Sequence, residues 1–245
     1  MPYRKENFDL HEFYHIYNRG NNKELIFFER ENYLFFLRQF LKYFPLTVVE
    51  THAFCLMPNH FHFLVRFLEE TDISVRMKYF GISYAKAINN RYKRTGHLFE
   101  GRFKIKHVDS DEYLLHLSRY IHLNPFFAKL VYKAEDWEFS SYRKYLSVTD
   151  SRSFSSDTIG KLRESSISDG FSSDTIEKLR ESSISDGFSS DTIGKLRESS
   201  VLDDFENYVN TDIILSQFGS SLEYKDFVSS FIEEKMKEIE ESLWR

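Results

Sequence analysis

The chain has 245 residues, a formal net charge of −5, 41% hydrophobic residues and a single cysteine. This length suits one substantial core with an appendage, and one cysteine excludes an intrachain disulfide. No run of about eighteen apolar residues occurs, which excludes a membrane-spanning segment, and the N-terminus lacks the apolar stretch of a signal peptide. These features predict a cytoplasmic protein with no membrane partner.

Charge is distributed unevenly along the chain. Residues 1–150 carry 22 Lys and Arg against 18 Asp and Glu, whereas residues 151–245 carry 11 against 20. The mildly basic first part permits a nucleic-acid partner without requiring one. All nine histidines lie between His11 and His122, so any chemistry based on imidazole is confined to the first half.

Hydrophobic periodicity in the first 150 residues alternates between the two-residue repeat of strands and the helical repeat. The resulting order, β-α-β-β-α-β followed by a helix, predicts an α+β, ferredoxin-like antiparallel sheet with helices on one face. Pro45 and Pro125 are expected to end the helices that precede them. In chain order, we predict a strand at 13–18, a helix at 29–44, strands at 46–56 and 60–67, a helix at 74–94, a strand at 98–108 and a helix at 109–124.

Residues 154–204 consist of three near-identical copies of a 17-residue unit that begins FSSDTI. Their Ser-, Asp- and Glu-rich composition predicts a flexible or loosely helical insertion. A stacked helical array that mediates self-association is the alternative. We therefore divide the chain into a catalytic domain at 1–150, the repeat insertion at 151–204 and a small C-terminal helical module at 205–245.

The most suggestive short motif is His60-Phe61-His62. On a strand, residues i and i+2 point to the same face, about 7 Å apart at Cα, so both imidazoles can reach one divalent metal. Two half-exposed histidines on a polar face would give the same pattern. A metal site would also need a third ligand from elsewhere in the chain.

The helix predicted at 109–124 carries a polar and aromatic stripe that includes Tyr120 and Asn124, one turn apart. A metal bound near Asn124 would lie close to the Tyr120 hydroxyl, as a tyrosine nucleophile requires. From the helix alone, an amphipathic helix whose tyrosines only pack, and whose Asn124 caps the C-terminal end, is the favoured interpretation. Four basic side chains near the predicted strands could bind phosphates, although solvated basic faces are common. These are Arg19, Arg102, Lys104 and Lys106.

Taken together, these segments resemble the single-tyrosine transposases of the histidine–hydrophobic–histidine (HUH) type, most closely the REP-associated tyrosine transposase group. The resemblance covers about residues 10–146, and the combination of MPNHFHFLV with a downstream YIHLNP is specific. The matching stretches are YHIYNRGNN (14–22), HAFCLMPNHFHFLVR (52–66), GHLFEGRFK (96–104), YIHLNP (120–125) and WEFSSYRKYL (137–146).

The resemblance implies that His60, His62 and Asn124 are ligands of Mg²⁺ or Mn²⁺ and that Tyr120 is the nucleophile. It implies an endonuclease and strand transferase that cleaves and rejoins single-stranded or hairpin DNA through a 5′-phosphotyrosine intermediate. Some members are dimers, so a homodimer is a further expectation. A non-catalytic nucleic-acid-binding module on the same fold and a metal-dependent hydrolytic nuclease are the competing interpretations.

Overall fold

The computed structural model describes residues 8–148 and 198–243. Its centre is a four-stranded sheet in the order β2-β3-β1-β4, in which all neighbouring strands run antiparallel. This arrangement confirms the predicted ferredoxin-like α+β order. The strands are β1 (Phe13–Arg19), β2 (Val49–Met57), β3 (His60–Phe67) and β4 (Lys104–Val108).

The described residues form seven α-helices in addition to two short 3-10 turns. The two crossover helices begin at side-chain caps, as helix N-termini require. Glu29 and Asn32 form a reciprocal capping box at α1, and the Asp72 carboxylate accepts a hydrogen bond from the Val75 amide at α2. The helices are α1 (Arg30–Tyr43), α2 (Ile73–Arg91), α3 (Asp111–Phe127), α4 (Tyr142–Ser147), α5 (Glu198–Asn207), α6 (Asp212–Leu215) and α7 (Ser221–Leu243).

One face of the sheet packs against α1 and α2 through aromatic side chains. The Phe63 ring stacks on Phe40 with centroids 4.2 Å apart, and Phe61 lies 5.0 Å from Phe36. All four rings are buried, and burying each one contributes about 2 kcal/mol. The prediction of helices on one face therefore holds for α1 and α2. Because Phe61 and Phe63 point toward these helices, His60 and His62 point to the opposite face, which α3 covers.

The C-terminal segment contacts both sides of this sheet. Phe205 of α5 lies 5.8 Å from Phe40 and 4.9 Å from Phe54, on the α1 side. Tyr224 of α7 is fully buried between α3 and α4, on the other side. The predicted boundaries at 150 and 204 stay a prediction. Most of the repeat insertion, residues 151–197, lies outside the described residues.

Several predicted elements were wrong at their ends, and two of these differences have a clear physical reason. The fourth strand was expected at 98–108, but β4 begins at Lys104, because its ladder with β1 is interrupted where the Asn18 side chain donates to the Gly101 carbonyl, and only a single bridge, between Gly20 and Phe99, follows. Pro125 was expected to end the helix at Asn124, but α3 continues to Phe127. Proline removes only its own N–H, and the Ala128 amide still bonds to the Asn124 carbonyl.

In the part of the chain that the structure describes, none of the helices is long and apolar enough to cross a membrane.

Candidate active site

His60 and His62 lie side by side on the face of β3 that α3 covers. Their ring centroids are 5.1 Å apart and their planes are nearly perpendicular. His62 is 6% exposed, whereas His60 is half-buried. The spacing expected of a histidine pair on one strand is therefore present, with one open side.

Helix α3 brings the two other predicted site residues to this pair. The His60 Nε2 and Asn124 Oδ1 atoms are 3.4 Å apart. The Tyr120 ring lies edge-on to His62, with centroids 5.6 Å apart, and its side chain is 48% exposed. Tyr120 and Asn124 reach the histidines together because residues four apart share one side of a helix.

Hydrogen bonds fix which atoms face the centre of the site. The Asn124 amide nitrogen donates to the Tyr120 carbonyl at 2.8 Å, which leaves the Asn124 oxygen facing His60. The Asn59 amide nitrogen donates to the Lys23 carbonyl, so its oxygen accepts from His60 Nδ1 at 2.7 Å. Neutral His60 then presents a lone pair at Nε2. Two acceptors, His60 Nε2 and Asn124 Oδ1, consequently face each other.

Electrostatics keep both histidines neutral at physiological pH. Burial lowers the pKa of His60, an effect that the Asn124 amide opposes and the Arg19 guanidinium reinforces. Burial also lowers the pKa of His62 well below its usual value, and the imidazoles of His15 and His60 add to this shift. A neutral imidazole is the form that binds metals.

The donor set fits a divalent cation. Adjacent ligands of an octahedral Mg²⁺ lie about 3 Å apart, since each bond is about 2.1 Å long. The 3.4 Å between His60 Nε2 and Asn124 Oδ1 is close to this separation. Two imidazoles with one amide oxygen suit Mn²⁺ better than Mg²⁺, which prefers oxygen ligands. No group of three or more His, Cys, Asp or Glu among the described residues is arranged to hold a metal, so a metal bound by His60 and His62 would need a ligand of another type, such as the Asn124 amide oxygen.

Three of the four predicted DNA-binding side chains surround the histidines. Tyr17 pairs with both His62 and Lys104, and His15 pairs with Lys106, so both exposed lysines share the histidine face. Arg19 pairs with His60 at the end of β1 and forms an ion pair with Glu100. Arg102 lies apart from this group. It precedes β4 and lines a groove of about 1050 Å³ beside α2.

Sequence reasoning missed two residues of this site. Asn59 holds His60 Nδ1, as described above, and His15 of β1 holds His62. The His15 Nε2 and His62 Nδ1 atoms are 2.9 Å apart. Alternation in β1 placed His15 on one face with Tyr17, but only the pairing of β1 with β3 brings it to His62.

A second histidine lies behind α3 and is hydrogen-bonded on both sides. His122 Nδ1 is 2.8 Å from the Tyr224 hydroxyl, and His122 Nε2 is 2.8 Å from the Ser141 hydroxyl. The Tyr224 hydroxyl also lies 3.0 Å from that of Ser118. We call His122, Ser141 and Tyr224 the core cluster, and His15, His60 and His62 the site cluster.

Comparison with known proteins gives two similarities. The model of the family described as "Transposase IS200 like" matches residues 11–124, just under half of the chain. The chain is also similar to a solved structure described as that of the REP-associated tyrosine transposase bound to a REP hairpin. That likeness has 17% sequence identity and a TM-score of 0.49, and it covers 60% of this chain and 86% of the other. Comparison with the curated proteins gives no match. The matched segment contains β1 to β4 and the site residues up to Asn124. Over residues 11–124, the chain is therefore similar to the IS200-like transposases.

Proposed function

We propose that this transposase cleaves and rejoins single-stranded or hairpin DNA, with Tyr120 as the nucleophile. The observation that carries the proposal is the pair of facing acceptors, His60 Nε2 and Asn124 Oδ1, beside the exposed Tyr120 side chain. Facing acceptors require a cation or a donor between them. A half-exposed tyrosine on the open side of such a site is placed for a substrate that arrives from solvent.

His60, His62 and Asn124 would hold the divalent metal, Mn²⁺ or Mg²⁺. When bound, the metal would withdraw charge from a non-bridging oxygen of the scissile phosphate. The protein's own contribution is positional. α3 supplies the amide ligand and the nucleophile from consecutive turns, so the two are fixed relative to each other.

The chemical step exchanges one phosphodiester for another. The Tyr120 oxygen forms a bond to phosphorus while the bond to the 3′-oxygen of the leaving strand breaks. The phenol loses its proton and the 3′-oxygen gains one, which leaves a 5′-phosphotyrosine and a free 3′-hydroxyl. Attack by that hydroxyl, or by another one, reverses the step without an external energy source.

The histidine face offers the surface for DNA. Lys104 and Lys106 are exposed on it, and the Lys104 ammonium lies 6.0 Å from the centre of the Tyr17 ring. Lysines that alternate with aromatic rings suit a single strand, because phosphates meet the charges while bases stack on the rings. Arg19 adds a third cation at the His60 end. We do not extend this surface to Arg102, which lines the groove beside α2.

All four proposed site residues belong to one chain and contact each other within it. We therefore propose that the site is complete in a monomer. A homodimer, where one forms, is not needed to assemble it.

The test follows a labelled DNA strand after cleavage. The protein is incubated with Mn²⁺ and hairpin DNA labelled at its 3′ end, the end that a 5′-phosphotyrosine retains, and the products are separated on a denaturing gel. We expect label on the protein with the wild type and with Tyr132→Phe, a matched control because Tyr132 is 97% exposed and outside the site. Tyr120→Phe should abolish the adduct while hairpin binding changes by less than about threefold.

Two outcomes would overturn this proposal. Cleavage by the wild type with both product ends free would show hydrolysis by water, with Tyr120 structural. Hairpin binding without cleavage in any metal would show a non-catalytic binding module.

A further inference from the structure

The contact between His15 and His62 joins two buried imidazoles across neighbouring strands. His15 is 7% exposed and His62 is 6% exposed. Their ring planes lie 24° apart with centroids separated by 5.1 Å, and Tyr17 stacks on both rings, 4.6 Å from His15 and 5.9 Å from His62. The ring positions are therefore fixed by packing, and the 2.9 Å between His15 Nε2 and His62 Nδ1 is the length of an ordinary hydrogen bond.

The direction of this hydrogen bond decides what His62 can do. A neutral imidazole carries one N–H and one lone pair, so one ring donates and the other accepts. If His15 donated, His62 would carry its proton on Nε2 and could not bind a cation there. If His62 donates from Nδ1, its Nε2 lone pair is free. No described residue forms a hydrogen bond with His62 Nε2 that would favour the first case.

The neighbouring His60 provides an internal comparison. Its Nδ1 donates to the Asn59 oxygen, an acceptor whose orientation is fixed by the Lys23 carbonyl. His60 is therefore held in the form that frees Nε2. An accepting His15 would hold His62 in the same form, so that the pair would present two lone pairs to one side.

We propose that His15 is a positioning residue that accepts a hydrogen bond from His62 Nδ1 and thereby fixes the His62 ring as a cation ligand. This inference rests on the proposed metal site. Partners of this kind contribute about 10- to 100-fold to metal affinity, since they fix both the tautomer and the ring orientation of the ligand.

Two substitutions separate hydrogen bonding from packing. His15→Phe keeps a flat ring packed against Tyr17 and His62 but removes the acceptor. His15→Gln restores an acceptor at nearly the reach of Nε2. We expect His15→Phe to weaken Mn²⁺ binding by about 10- to 100-fold in calorimetric titration of the full chain, and His15→Gln to stay within about threefold of the wild type. His107→Phe is the matched control, because His107 lies on the other face of the same sheet, pairs with Tyr14 and is exposed.

A second measurement uses the wild-type protein without metal. Nitrogen-15 chemical shifts of the His62 ring distinguish the two tautomers, and we expect the proton on Nδ1. A proton on Nε2 would overturn the inference, as would Mn²⁺ affinity in His15→Phe within twofold of the wild type. Equal losses in the Phe and Gln variants would reduce His15 to a packing residue and overturn it too. If the wild type bound no Mn²⁺, the proposed function would lose its metal, while the ring measurement would still decide the direction of the hydrogen bond.

Discussion

The site cluster and the core cluster both place histidine rings at α3, and they differ in how the hydrogen bonds of these rings are satisfied. In the core cluster, His122 is fully buried and both of its ring nitrogens have hydroxyl partners at 2.8 Å. In the site cluster, His60 Nε2 faces another acceptor, Asn124 Oδ1. Tyr120 and His122 are two positions apart on α3, so their side chains point in directions about 200° apart around the helix axis, one toward each cluster.

This difference separates a structural network from a chemical one. A buried polar group without a partner destabilises a protein by about 1–3 kcal/mol. In the core cluster both ring nitrogens of His122 have partners, and these hydrogen bonds attach α7 to α3 and α4. At the site cluster two acceptors face each other at an open edge, where a bound cation can supply the positive charge that both accept. Substitutions in the two clusters should therefore have opposite consequences.

The largest expected effect is on activity in the site cluster. His60→Ala should lower the rate of adduct formation by more than about a hundredfold, because it removes one of the facing acceptors. The free energy of unfolding of His60→Ala should differ from that of the wild type by less than about 1 kcal/mol, since the His60 ring is only half-buried. Single-turnover adduct assays and urea unfolding measure the two quantities. An adduct rate within tenfold of the wild type would place the metal elsewhere.

The core cluster should show the reverse. Tyr224→Phe removes one hydroxyl and leaves His122 Nδ1 and the Ser118 hydroxyl short of a partner inside the core. We expect a loss of about 1–3 kcal/mol in the free energy of unfolding. Adduct formation per folded molecule should stay within about threefold of the wild type. A large loss of activity at full folding would mean that α7 also sets the position of Tyr120.

Much of the site cluster could be predicted from sequence because it depends on local periodicity. The histidines of β3 share a face through the two-residue repeat, and Tyr120 and Asn124 share a side of α3 through the helical repeat. The structure confirms both placements and gives β3 the predicted bounds. The assignment of Asn124 as a third ligand depended on the family resemblance, since the helix pattern alone favoured a packing role.

Features set by contacts between distant segments could not be predicted. His15 and His62 are 47 residues apart, and only the register of β1 on β3 joins them. Nothing in the sequence distinguishes His122, whose partners are Ser141 and Tyr224, from a ligand. The place of Arg102 depends on such a contact too. Alternation extends back past Lys104, but the pairing of β4 with β1 is interrupted where the Asn18 side chain donates to the Gly101 carbonyl, and it resumes with a bridge between Gly20 and Phe99. The role of Arg102 in DNA binding stays a prediction.

A change of pH should reveal the core cluster without any substitution. Burial lowers the pKa of His122 to about 3, whereas an unfolded histidine titrates near 6.5. Between these values the unfolded chain binds the proton and the folded chain does not, so stability falls as the pH falls from about 6.5 toward 3. His122 alone should cost about 1.4 kcal/mol per pH unit near pH 5. Urea unfolding at pH 7, 6 and 5 measures this slope, and equal stability at all three values would contradict it.

The smallest expected effect concerns the lysines that extend the site cluster across the sheet. Lys104→Ala and Lys106→Ala should each weaken binding of hairpin DNA a few-fold, with about the same factor for unrelated single strands, because phosphates carry no sequence. Each should also reduce the dependence of log affinity on log salt by about 0.7, which is the counterion release expected for one phosphate contact on a single strand.

Lys225→Ala is the matched control, since Lys225 lies on α7 and pairs with Glu135, on the side of the core cluster. Fluorescence anisotropy between about 50 and 200 mM salt compares the three variants. The proposed DNA surface would be wrong if the salt dependence of affinity stayed unchanged in both Lys104→Ala and Lys106→Ala, or if it decreased equally in Lys225→Ala. Either result would mean that DNA does not lie on the histidine face and that the open side of the site cluster binds another ligand.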